Sequence, residues 1–307
     1  MKKLDGIFIP AVTPFDEKGV LRLDYLEKNY ECWNRTKIRG YMTLGSNGEF
    51  RSLSDDEAYA VLKTASEVIA EEKVYIAGIG RESLYQTLTF LDRLMSADIK
   101  IDYVSVLTPH YFKGLMTEEA LINYFSKIAD ESRYPVLLYC APGFANTVCI
   151  SPEALRTLAD HPNIAGIKDT SKDMLKSYME AVGGRDDFNV MSGSLGTIMT
   201  CMEMGGKGGI VSAANYFPNL CAELYELAVA KGTEAAREYH AELKALAMQT
   251  GARASIAGVK AMMNLMGYQG GFPRLPVLPC TGRQIEEFQQ VIKEKKELLA
   301  ADMLNEE

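Results

Sequence analysis

Residues 163–171 read NIAGIKDTS. Ile164, Ala165, Gly166 and Ile167 form a short apolar run between Pro162-Asn163 and Asp169-Thr170-Ser171. Such a run between turn signals marks a strand buried on both faces. Lys168 ends it. Lysine is seldom fully buried, because taking an ammonium out of water is costly. Burial lowers its pKa, and a neutral amine is a nucleophile towards carbonyls. The plainer alternative is a strand-end lysine that snorkels to solvent or pairs with Asp169.

Outward from this stretch the chain alternates strand and helix. Strands are expected at 6–12 (GIFIPAV), 40–44 (GYMTL), 74–79 (VYIAGI), 103–107 (YVSVL), 135–139 (PVLLY), the Lys168 run, 188–191 and 209–211. Helices are expected at 24–36, 54–71, 83–97, 117–131, 152–159, 172–182, 195–204 and 218–230. Ser54 followed by Glu57 is a capping-box start. Crossover helices force parallel pairing, and eight such units without a break are the count that closes a (β/α)8 TIM barrel. An open doubly wound sheet, usually smaller and with a switch point, is the competitor. Residues 1–230 are therefore read as the barrel. Residues 231–307 are read as a C-terminal helical appendage packed on it, with helices near 233–249, 254–266 and 284–303.

A chain of 307 residues with 47% hydrophobic content can bury a core of that size. The formal net charge is -8 and no basic block appears, which argues against a nucleic-acid partner. No stretch approaches the ~18 apolar residues of a membrane span. The start, MKKLDGIFIPAVTPF, has too brief an apolar run for a secretory signal. Cysteines 32, 140, 149, 201, 221 and 280 make no CxxC pair, so reduced thiols in a cytoplasmic protein are expected.

In such a barrel the chemistry sits at the carboxyl ends of the strands. Those ends carry Thr13-Pro14, Gly45-Ser46-Asn47-Gly48-Glu49, Gly80, Thr108-Pro109-His110-Tyr111, Tyr139, Lys168, Ser192-Gly193-Ser194 and Ser212. Loops that are merely polar account for the glycines. They do not account for tyrosines ending strands four and five beside the lysine of strand six. Other signals lose on context. The GIG at 78–80 lacks the third glycine of a dinucleotide fingerprint. Histidines 110, 161 and 240 are too scattered for a metal site, and His161 reads as structural. Lys260, Lys293, Lys295 and Lys296 read as solvated helix faces.

These residues also carry a family likeness. GSNGE at 45–49, VLTPHYFKG at 106–114, LLYCAP at 137–142, HPNIAGIKDTS at 161–171, SGSLGTIM at 192–199 and GGIVSAAN at 208–215 span nearly the whole chain. With them the sequence resembles the Schiff-base pyruvate aldolases, the family of N-acetylneuraminate lyase and dihydrodipicolinate synthase. GSNGEF, HPNIAGIKD and GYQGGFPRLPV are most similar to its 4-hydroxy-2-oxoglutarate aldolase branch. The resemblance implies a barrel in homotetramers built from dimers, acting on pyruvate and an aldehyde. It implies no cofactor, because pyruvate is held as an imine.

Carried over by position, Lys168 would form the imine and Tyr139 would shuttle protons. Ser46 would relay a proton to Tyr139 and, with the backbone N–H of Asn47, hold the pyruvate carboxylate. Tyr111 would enter a neighbouring subunit's site, while Ile210 and Gly193 would line the substrate pocket. One departure stands out. Where the synthase branch has an arginine after the proline, this chain has Gly143-Phe144-Ala145-Asn146 after Pro142. The expected activity is therefore carbon–carbon cleavage or formation with a 4-hydroxy-2-oxoglutarate or deoxy-sugar-acid type of substrate. The alternatives are dihydrodipicolinate synthase, with aspartate semialdehyde, and a 2-oxo acid-binding barrel without turnover.

Overall fold

The computed structural model describes residues 2–171 and 173–304. Among these residues the elements run β1 (Gly6–Pro10), α1 (Leu23–Asn34), β2 (Gly40–Thr43), α2 (Asp55–Val68), β3 (Val74–Gly78), α3 (Leu84–Ser96), β4 (Tyr103–Leu107) and α4 (Glu118–Glu131). They continue with β5 (Val136–Cys140), α5 (Pro152–Ala159), β6 (Ile164–Asp169), α6 (Leu175–Val182), β7 (Asn189–Ser192), α7 (Ile198–Glu203), β8 (Gly208–Ile210) and α8 (Pro218–Lys231). Four more helices follow: α9 (Arg237–Gln249), α10 (Ser255–Leu265), α11 (Gly282–Glu294) and α12 (Lys296–Leu299). The strands close into a barrel in chain order, β1 to β8. The (β/α)8 reading of the sequence holds.

By Cα packing the chain falls into two compact units. The first combines the described residues up to Asp5 with Val74–Ile210. Its strands β4, β5 and β6 are buried along their whole length, as their continuous apolar runs require. Parallel register sets Leu107 beside Tyr139, Tyr139 beside Lys168, and Lys168 beside Met191. Two glycines permit close approach. A Cβ on Gly166 would lie 2.3 Å from Asn189 O, and one on Gly193 would lie 2.0 Å from the Thr170 methyl. Ser83, Thr117 and Ser151 cap α3, α4 and α5, each cap contributing about 1 kcal/mol.

The second unit combines Gly6–Lys73 with the described residues from Val211 onward. Its core is aromatic. Tyr30, Trp33 and Tyr41 are fully buried, with ring centroids 4.9–6.1 Å apart. The Trp33 indole N–H donates to Asn215 O at 3.2 Å, and Tyr30 Oη bonds Thr43 Oγ1 at 2.5 Å, so neither ring buries an unpaired polar group. Ser54 and Glu57 form the expected capping box on α2.

Some boundaries differ from the sequence reading. The helix expected at 172–182 begins at Leu175; Lys172 lies outside the described residues. The one expected at 195–204 narrows to α7, because Ser192 Oγ, Ser194 and Thr197 Oγ1 bond among themselves in a turn. The one expected from 233 starts at Arg237, after a separate turn in which Ala236 N–H donates to Thr233 O. The last helix starts early, on a Thr281–Gln284 capping box, and breaks at Lys295.

Candidate active site

In the first unit, Tyr139 and Lys168 are register partners on adjacent strands, so their side chains share a face about 4.8 Å apart. The Lys168 ammonium stands 4.1 Å from the centroid of the Tyr139 ring. Both residues are 3% exposed. An ammonium over an aromatic face in a dry setting is stabilised by about 1–2 kcal/mol. Asp169, the next residue, projects to the opposite face of the strand. Its carboxylate accepts the Ser171 N–H at 2.9 Å, and burial raises its pKa. Gly193 N–H donates to Asp169 O at 2.6 Å, fixing the end of β7 against the end of β6.

The loops after β3, β4 and β5 are tied together. Glu82 accepts the N–H groups of His110 and Tyr111, at 2.8 and 2.9 Å. Tyr111 is 76% exposed and packs edge-on against Phe112. Phe144 is exposed as well. Lys113 Nζ donates to Thr147 Oγ1, and Asn146 and Thr147 both have left-handed backbones. The Arg81 guanidinium donates to Ile79 O and Gly80 O and lies over the Phe90 ring.

In the second unit, Ser46, Asn47 and Gly48 form a 3₁₀ turn directly after β2. The Asn47 side chain donates to Ser212 Oγ at 2.8 Å. Asn215 anchors the same region, donating to Pro10 O and Ser212 O and accepting the Val12 N–H. Thr13 Oγ1 donates to Gly48 O at 2.7 Å. Glu49 closes the turn in a left-handed conformation, φ 48° and ψ 36°. Ile210, which ends β8 and is buried, belongs to the first unit.

Glu49 leads to a correction. Lys260, read from sequence as a solvated face, is 0% exposed. Its ammonium donates to Thr13 O and Phe272 O, both at 2.8 Å. It also sits 2.5 Å from Glu49 Oε1, held by charge and not by an aligned hydrogen bond. Desolvation lowers its pKa to about 8 despite the carboxylate. The other Glu49 oxygen accepts the Arg274 N–H. A sequence signal for this burial existed: between Ser255 and Asn264 at its ends, α10 is apolar except at Lys260, and a helix without a polar face is buried.

Among the described residues no group of three or more His, Cys, Asp and Glu side chains is placed to hold a metal. No helix there is long and apolar enough to cross a membrane. His161 bonds Asp130 and the Asn163 N–H, a structural role. A cavity of about 900 Å³ is lined by Tyr103, Ile164 and Asn189, at the starts of their strands, and by Lys3, Asp5 and Lys207. It contains none of the candidate residues, and acids and bases on its wall balance.

A family model described as the dihydrodipicolinate synthetase family matches residues 3–295. The chain belongs to that family. Family members are lyases that make or break carbon–carbon bonds, and they hold pyruvate as a Schiff base on a lysine. This member is accordingly a pyruvate aldolase or lyase. A 4-hydroxy-tetrahydrodipicolinate synthase of Xanthomonas campestris is 31% identical over 91% of this chain and 90% of its own. A DapA-like lyase of Thermococcus kodakarensis is 29% identical over 92% and 96%. The dihydrodipicolinate synthase of Acinetobacter baumannii, solved with pyruvate, superimposes with a TM-score of 0.85 at 27% identity, covering 96% and 99%.

Proposed function

We propose that Lys168 is the imine-forming lysine and Tyr139 its proton shuttle. What carries this reading is the Lys168 ammonium packed on the Tyr139 ring at the carboxyl ends of β6 and β5. Lys168 Nζ attacks the pyruvate carbonyl carbon, and loss of water leaves an imine. The imine draws electrons from the methyl group, which gives up a proton to become an enamine carbon. That carbon attacks an aldehyde. In reverse, the bond to the aldehyde carbon breaks. Each step moves a proton, and a phenol beside the amine can carry it. Ser46 relays that proton and, with the Asn47 N–H, binds the pyruvate carboxylate. Gly193 and Ile210 line the pocket.

In the cleavage direction the substrate is a small hydroxylated 2-oxo acid, such as 4-hydroxy-2-oxoglutarate or a deoxy-sugar acid, which yields pyruvate and an aldehyde. Support comes from Phe144, which stands where the synthase branch has an arginine. Neither nearby base replaces it simply: Arg81 is bonded to backbone carbonyls and Lys113 to Thr147. A carboxylate on the aldehyde part left without a cation would cost about 1–3 kcal/mol, which counts against aspartate semialdehyde and, of the two hydroxylated acids, favours the deoxy-sugar acid, whose aldehyde fragment is uncharged. The synthase reading is favoured by the names of the relatives, and kinetics separate the two. We further propose a homotetramer in which Tyr111, exposed here, completes a neighbour's site. We read the helices from α9 onward as an appendage of the barrel, because Lys260 and Arg274 bond the loops after β1 and β2.

Borohydride reduction with pyruvate, followed by peptide mass spectrometry, should place the adduct on Lys168. An adduct on another lysine, or none, would overturn the mechanism. Steady-state kinetics should give the higher kcat/KM for cleavage of the hydroxylated 2-oxo acid. A higher value for condensation with aspartate semialdehyde would favour the synthase.

A further inference from the structure

We infer that the buried Lys260–Glu49 pair is a positioning device that holds the Ser46–Asn47 turn in the geometry that receives the substrate carboxylate. This rests on the carboxylate-binding role proposed for Ser46 and Asn47, and deepens it. Glu49 is the residue that ends the turn, its N–H donating to Ser46 O at 3.1 Å. Gly48 N–H donates to Gly45 O at 3.0 Å, so the turn is wound tightly on itself. Its exit is strained, since a non-glycine residue in the left-handed region costs about 1–3 kcal/mol. Something must hold Glu49 there.

The holding groups come from three segments: α10, the loop after β1 and the stretch 272–274. Lys260 on α10 draws in the Glu49 carboxylate. The same ammonium grips Thr13 O, and the Thr13 hydroxyl grips Gly48 O, so one cation reaches the turn by two routes. Phe272 O takes another of its protons. The Arg274 N–H holds the far oxygen of Glu49. A pair so completely removed from water is poor value as a stabiliser: apolar residues of the same shape often serve as well or better. What apolar residues could not do is fix a strained turn from two directions. Half-held, the turn would carry its hydroxyl and N–H out of register with a bound carboxylate, and an error near 1 Å can cost about a hundredfold.

The test uses the full-length protein with pyruvate as probe. Borohydride trapping on Lys168 is measured against pyruvate concentration in wild type, in Glu49→Gln, and in the double variant Glu49→Gln/Lys260→Met. The double variant removes both charges together and so avoids a lone buried ion. The half-saturating pyruvate concentration should rise about tenfold or more in both variants, with the maximal extent of trapping kept. Thermal melts report folding separately, and the double variant should melt close to wild type while still needing more pyruvate. A folded variant that traps pyruvate with the wild-type concentration dependence overturns the inference and leaves the functional reading intact. A wild-type protein that traps no pyruvate fails the functional reading first, and this inference with it.

Discussion

Lys168 and Lys260 are both buried lysines, at 3% and 0% exposure, and their surroundings differ in kind. Lys260 lies mid-helix, bonded to two backbone carbonyls and set against Glu49. Lys168 ends a strand, and its ammonium faces the π-surface of Tyr139. Carbonyls and a carboxylate immobilise an ammonium and spend its protons. An aromatic face supports a cation without accepting a conventional hydrogen bond from it. Burial alone therefore does not identify a catalytic lysine.

The largest effect that separates the two lysines is in turnover. Lys168→Ala should lower kcat/KM by about 10⁴-fold or more, because the covalent route disappears with the amine. The variant should remain folded by circular dichroism and retain the tetramer if one forms. Residual activity above about one per cent would transfer the chemistry to another group and dissolve the contrast.

The same contrast measures how legible the site was. Lys168 stood out because it ended an apolar run between turn signals, where the strand period and the rim rule agree. Tyr139 was read at a strand end by the same rim rule, the barrel came from the count of eight strand–helix units, and the role proposed for Ser46 came from the family resemblance. Lys260 carried an equally plain signal, a lone charge in the apolar middle of its helix, yet helix lysines are usually solvated and the reading followed the usual case. Glu49 gave no local sign of its left-handed backbone. Its partners Thr13, Lys260 and Arg274 are far away in sequence, so only tertiary packing brings them to the turn. The late helix starts at Ile198 and Arg237 have a common cause: in each, the preceding residues close a hydrogen-bonded turn of their own first.

Lys260 offers an intermediate effect, with a defined sign. Its pKa is about 8 in the folded chain, against an ordinary 10.5. Between those values the unfolded chain binds a proton that the folded chain does not. Stability contributed by this group must therefore rise with pH across that window, by up to about 3 kcal/mol. Below pH 8 the cost of burying the charge is present in full. Urea melts of wild type and Lys260→Met from pH 7 to 9.5 isolate the term, since the variant cannot titrate there. The difference, wild type minus variant, should move in favour of wild type as pH rises. A flat or falling difference would mean that the ammonium is not desolvated, and Lys260 would lose its standing as the buried counterpart of Lys168.

The smallest effect belongs to the neighbouring pair, Arg274 and Glu57, which meets water. Arg274 donates to both Glu57 oxygens, at 3.0 and 2.6 Å, with side chains 20% and 31% exposed. The Arg274 hydrogen bonds hold the Glu57 carboxyl below its ordinary value of 4.5. A depressed carboxyl contributes stability that is fully present above that value and is lost as pH falls through the folded one. Glu57→Gln should therefore cost about 1 kcal/mol at pH 7 and progressively less towards pH 3. It keeps an acceptor for the Ser54 N–H of the capping box, so the cap itself should survive. Added salt should shrink the cost, because water and ions reach this pair; the Lys260 term, sealed from both, should hardly respond. A Glu57→Gln cost that ignores salt and pH would place the arginine pair in the same dry environment as Lys260, and the division between a buried anchor and a solvated clasp would fail.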